Sequence, residues 1–310
     1  MKLFLPIVFF INFNFLLGQQ VLYQNVFFGG VVGGTFSSGS NGGTFSGNIQ
    51  INNIPIGSTI RKALLFAGRH GNAPDLSIIF NGDSYILYPQ NQISSDFSSP
   101  YGGISGIHVI DVSNSVCISQ NTYPIYTTMS QNGPSNKYSD FFLYVEYFNA
   151  TLNKLCVSII LNDKNFTALP KTYNLQGLMP INTNFDVGLS FYGGYICDTI
   201  SDGEKIYVNN QFLGTVGGSD LGSYYCGGPS GSYYYENSNL FGLNDDISNN
   251  TMNGPDALAN INIYLNNLTT SSIVYTEYQS QNGGFSNAIW GFFLTYTTPC
   301  DTFSIAHTQD

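Results

Sequence analysis

The sequence predicts an all-β protein of two tandem, jelly-roll-like antiparallel β-sandwich modules, and three observations carry that expectation. Short apolar or alternating runs are divided by Gly, Pro, Asn and Ser, and no long stretch of 3.6-residue period competes with them. Only 9% of the 310 residues are charged, while 15% are aromatic and 34 are glycine, which excludes a helical bundle and a disordered chain. Four short anchors recur in the same order in the two halves.

The chain opens with a basic start, Met1-Lys2, followed by a mostly apolar run from Leu3 to Leu17, then Gly18 and polar Gln19-Gln20. This layout predicts a secretory signal peptide over 1–18, because the run is shorter than the roughly 20 residues of a spanning helix. No later segment predicts a transmembrane span. Residues 19–47 contain a strand candidate, Val21 to Phe28, and a Gly-rich arm. The arm repeats Gly33-Gly34-Thr35-Phe36-Ser37 as Gly42-Gly43-Thr44-Phe45-Ser46. Glycine weakens strand register, so the arm reads as a loose hairpin in preference to a strand donated to another subunit.

The first module is expected over 48–165, with strands at Ile60–Phe66, Leu76–Phe80, Ile107–Val112, Phe141–Tyr147 and Leu155–Leu161. The second is expected over 184–300, joined near Asn165 to Thr183, and a tail follows over 301–310. The anchors define the relation. Leu64 to Gly68 matches Leu189 to Gly193 at an offset of 125, and Ile79 to Gly82 matches Tyr207 to Asn210 at 128. Ile110 to Ser113 matches Ile261 to Tyr264, and Phe141 to Val145 matches Phe292 to Tyr296, both at 151. The step from 128 to 151 predicts 23 extra residues in the second module, within 211–260. That stretch is rich in tyrosine, and a long loop without its own periodicity in a compact domain is usually functional or disordered. Its tyrosines favour function.

The run Ile54-Pro55-Ile56-Gly57-Ser58-Thr59-Ile60-Arg61-Lys62-Ala63-Leu64-Leu65-Phe66, followed by Ile78-Ile79-Phe80-Asn81-Gly82, resembles a module of secreted bacterial surface proteins. That resemblance covers residues 54–82 and implies a β-sandwich with a surface or adhesive role. The tandem arrangement also resembles, in architecture, the two jelly rolls of bacterial peptide N-glycosidases. None of that family's catalytic acids matches a position here, so no activity is implied.

Chemistry-bearing residues are sparse. With 9 Lys+Arg against 19 Asp+Glu the net charge is −10, and without a basic run the chain is not expected to bind nucleic acid. The three histidines, His70, His108 and His307, show no metal-binding spacing. His70 ends a strand where it would face a ligand, and His108 lies inside a strand pattern. Asp198, Asp202 and Glu204 cluster before one strand, and Asp245-Asp246 fall in the insertion. They read first as turn and loop residues, with calcium ligation or paired-carboxylate hydrolysis of a glycosidic bond as alternatives. No catalytic residue is assigned and no cofactor is required. Tyr224, Tyr225, Tyr233, Tyr234 and Tyr235 offer flat faces with polar tips, suited to sugars or to a protein interface, or else to packing on their own module.

Five cysteines, Cys117, Cys156, Cys197, Cys226 and Cys300, are disulfide candidates in an oxidising compartment, with one left over. The simplest expectation pairs Cys117 with Cys156. Asn149, Asn165, Asn249 and Asn267 are N-glycosylation candidates, which any used site would have to present at the surface. Together these features predict a secreted structural or adhesive glycoprotein that self-assembles or contacts cell-surface glycans or proteins. A lectin-like protein using the tyrosines and a glycan-active hydrolase are the alternatives.

Overall fold

The computed structural model describes residues 19–36, 43–70, 73–93, 97–98, 104–132, 137–163, 171–175, 178–185, 187–194, 204–216, 259–261, 265, 271–276 and 288–299. The first strands are β1 (Gln19–Phe36), β2 (Ser46–Gln50), β3 (Thr59–His70), β4 (Leu76–Phe80), β5 (Asp83–Leu87), β6 (Phe97–Ser98), β7 (Ile104–Asp111), β8 (Thr122–Tyr126) and β9 (Lys137–Phe148). They continue as β10 (Leu155–Asp163), β11 (Lys171–Leu175), β12 (Gly188–Gly194), β13 (Glu204–Val208), β14 (Gln211–Val216), β15 (Ala259–Asn260), β16 (Ser271–Thr276) and β17 (Ala288–Thr298). No helix among the described residues is long and apolar enough to cross a membrane.

Hydrogen bonding builds two jelly rolls, and all the pairings between these strands are antiparallel. In the first, β1-β9-β3-β7 faces β2-β8-β4-β5. In the second, β10-β17-β12-β15 faces β11-β16-β13-β14 in the same order. The hairpins β4-β5 and β13-β14 share a turn type. Asn81 and Gly82 have φ of 49° and 90°, and Asn209 and Asn210 have 49° and 65°. Positive φ at both central residues is the turn whose twist matches two right-twisted strands, and Asn and Gly tolerate it best.

Among the described residues, three cores follow from strand alternation. Leu65, Leu143, Phe80 and Tyr123 lie in the first jelly roll, and Leu189, Leu294, Tyr173 and Val208 in the second. The opposite faces of the two long sheets pack on each other through Leu64, Phe66, Phe142, Tyr144, Ile160 and Phe293. The Phe293 ring lies 5.2 Å edge-on to Phe66 and 5.0 Å from Phe142. Strands β9 and β10 are thus covered on both faces, which is why Phe141–Val145 and Leu155–Leu161 read as nearly unbroken apolar runs.

Between these aromatic rings and the turn joining β9 to β10 the central layer becomes polar. Glu146 is fully buried there, accepting from Tyr144 (2.7 Å) on one oxygen and from Tyr23 (2.8 Å) and Asn25 (3.0 Å) on the other. The Tyr144 hydroxyl also meets Ser158. A buried carboxylate needs such donors, since an unpaired one costs several kcal/mol.

Four sequence expectations change. The arm is not a loose hairpin: β1 is an 18-residue strand that pairs with β10 up to Phe28 and with β9 from Gly29 onward, so both jelly rolls share it. Its crossing point requires glycine, because φ at Gly29 is 143° and a Cβ would lie 1.9 Å from the Tyr147 carbonyl oxygen. Segment 155–163, grouped by sequence with the first module, hydrogen-bonds to β17 of the second. The chain therefore changes jelly roll at the short turn around Ala150–Leu152, and the expected joining stretch contains β11.

The anchor register also shifts. Leu189 pairs with Leu294 as Leu65, not Leu64, pairs with Leu143, and one residue of slip exchanges the two faces of a strand. Val112 and Ile261 make the same bond, to the carbonyls of Ala63 and Val187, and stand 149 apart. The excess over 128 becomes 21 residues, and β14 narrows the inserted stretch to 217–258.

Candidate functional site

Strand ends locate the most divergent part of the second jelly roll. Glu204 pairs with Val216, Lys205 with Thr276, and Lys171 with Tyr275, at one end of the outer sheet. In the facing sheet Gly194 pairs with Ala288 and Asp163 with Gln19, at the end that leads into those same connections. The strand ends flanking 164–170, 195–203, 217–258 and 277–287 thus gather at one end. Jelly-roll connections at a common end form a continuous surface, and recognition residues concentrate on such loops.

Tyr224, Tyr225, Tyr233, Tyr234, Tyr235, Asp198, Asp202, Asp245 and Asp246 lie outside the described residues. So do Cys197, Cys226, Cys300, Asn165, Asn249, Asn267 and His307. Glu204 is described through its backbone, as the first residue of β13. Among the described residues no three His, Cys, Asp or Glu side chains are grouped to hold a metal ion.

The corresponding end of the first jelly roll holds a described polar group. His108 on β7 is fully buried, with its ring edge-on to Tyr138 at 5.2 Å and Nδ1 3.4 Å from the Tyr138 hydroxyl. Arg69 on β3 donates to Gln92 at 3.5 Å, and Gln92 bridges to the backbone of His108. Burial pushes His108 from 6.5 down to about 4; the Arg69 charge adds to the shift and a hydrogen bond with the Tyr88 backbone opposes it. Burial likewise pushes Tyr138 up to about 12. A neutral, enclosed imidazole and a neutral phenol at pH 7 are packing partners, not an acid–base pair. The strand pattern around His108 is realised, with its side chain inside the sandwich.

Two modification expectations are overturned. Cys117 is exposed in the first jelly roll and Cys156 is buried on β10 of the second; both are free, and burial pushes the Cys156 thiol up to about 12. Their pairing presumed that β10 belonged to the first module. Asn149 is buried, its Nδ2 donating to Ser58 at 3.1 Å and its Oδ1 accepting from the Thr151 hydroxyl at 2.6 Å and amide at 3.0 Å. It caps the turn between the two jelly rolls, and a glycan on that nitrogen has no room. The sequence reading also passed over Glu146, since one acid inside an aromatic strand leaves no periodic trace.

No family model matches the chain, and no curated protein matches it. A solved structure of PNGF-II is similar at 10% sequence identity and a TM-score of 0.26, over 83% of this chain and 60% of that one. The chain therefore spans less than two thirds of that structure's length.

Proposed function

We propose that the protein is a secreted adhesive or structural β-sandwich glycoprotein that contacts cell-surface partners, or further copies of itself, through its Tyr-rich segment. The supporting observation is the contrast between the two copies of the fold. Eight strands of each correspond, β6 having no counterpart among the described residues, yet 88–103 leads from β5 to β7 in the first jelly roll and 217–258 leads from β14 to β15 in the second. A sandwich scaffold lengthened at one connection, with tyrosines concentrated in it, suits recognition more than catalysis. Secretion rests on the basic, apolar and small order of residues 1–18, and Asn165, Asn249 and Asn267 are the glycan attachment candidates.

Exchanging 217–258 for a short Gly-Ser linker tests this reading. Surface association or polymerisation of the full chain should disappear while the thermal melt stays within a few degrees. A full chain that is strictly monomeric and surface-inert, or a linker variant that adheres equally well, would refute it.

A second reading has its own support. Segments 195–203, with Asp198 and Asp202, and 217–258, with Asp245 and Asp246, both join strand ends at the same end of the jelly roll. Carboxylates in connections that start from the same strand ends suit calcium, and calcium beside tyrosine suits a carbohydrate ligand. A glycan array without hits, with and without calcium, removes this reading.

A further inference from the structure

The junction of the two long sheets contains a separate feature, at the end opposite the strand ends that flank 217–258. Its layer is apolar where Phe66, Phe142 and Phe293 meet, and polar at Glu146, Tyr144 and Ser158 nearer the crossing of β1. Beside these a cavity of about 260 Å³ opens, walled by Asn52, Tyr147, Lys154, Cys156, Thr295 and Thr297. Thr295 and Thr297 are buried, while Lys154 is half-buried and Asn52 exposed, so the latter two stand at the mouth. Gly30 and Gly188 form further wall, and a Cβ at Gly30 would meet the Tyr147 hydroxyl at 2.4 Å.

Packing alone does not call for this composition. Apolar side chains of similar volume would join two sheets at least as well, without desolvating hydroxyls and a carboxylate. A small concave site at the junction of two domains, with convergent polar groups, is the usual form of a ligand pocket.

We propose that this cavity binds an uncharged, hydroxyl-rich ligand of monosaccharide size. The Thr295, Thr297 and Tyr147 hydroxyls each donate and accept, the Asn52 amide does both, and the Lys154 ammonium donates, which matches the mixed demands of sugar hydroxyls. The charges argue against an ion. The Lys154 ammonium already lies 5.0 Å over the Phe185 ring, and both Glu146 oxygens are already engaged. Binding is non-covalent, because the Cys156 thiol, pushed up to about 12, stays protonated at neutral pH.

Titration calorimetry of the full chain with D-glucose, D-galactose and N-acetylglucosamine, and with inorganic sulfate as the ionic control, tests the proposal. At least one sugar should bind saturably at one site per chain. Thr297→Val and Lys154→Met should each weaken it about tenfold without shifting the thermal midpoint. Asn52→Ala, at the exposed mouth, replaces Thr297→Val should that variant unfold. Exchange of 217–258 for the linker should leave this binding unchanged, which separates the cavity from the Tyr-rich segment. Absence of saturable binding by all three sugars overturns the proposal. So does binding that ignores the cavity variants, binding that vanishes with 217–258, or saturation by sulfate alone.

Discussion

His108 illustrates how burial changes a residue whose type is plain in the sequence. An unfolded chain takes up a proton there below about 6.5, whereas the folded chain does so only near 4. Between those values the unfolded state holds the extra proton, so stability is full above about pH 6.5 and falls as pH drops toward 4. The loss is on the order of 3 kcal/mol for this group. Urea midpoints at pH 7 and 4.5 should therefore differ more in the wild type than in a His108→Gln variant. Equal differences in the two proteins would show that the imidazole does not contribute. Asn149 gives the same lesson for modification: its Asn-Ala-Thr triplet is visible in sequence, but the folded chain spends its amide on a cap.

At the scale of the element, β1 departs furthest from expectation. Glycine-rich sequence ordinarily means weak register, yet here glycine lets one strand serve two sheets, because the Tyr147 carbonyl oxygen lies 1.9 Å from where a Gly29 Cβ would stand. Gly29→Ala should cost about 3 kcal/mol or more, measured as the loss in urea midpoint, since the alternative to strain is loss of pairing with β9 or β10. A change below about 0.5 kcal/mol would mean that the crossing tolerates a side chain. The turns of the two hairpins β4-β5 and β13-β14 carry a clearer local signal. Asn81-Gly82 and Asn209-Asn210 announce their turn, because the backbone conformation they need is one few other residues accept.

For the whole molecule, the shared strand and the central layer predict cooperative unfolding. Neither jelly roll can lose its sheet without exposing Phe66, Phe142 and Phe293, so calorimetry should show one transition. Phe293→Ala removes the ring that touches both sheets and should cost about 3–5 kcal/mol. It should also split or broaden the peak; two separate peaks in the wild type would contradict the coupling. The all-β class and the duplication are present in the chain as alternation, turn chemistry and repeated anchors, because these signals are carried by neighbours a few residues apart. Membership of β10 in the second jelly roll, the crossing of β1, the true anchor register and the Glu146 layer are not. Those depend on which face each long sheet turns toward the other, a choice made by contacts between residues more than a hundred positions apart, such as Tyr23 with Glu146 and Phe66 with Phe293.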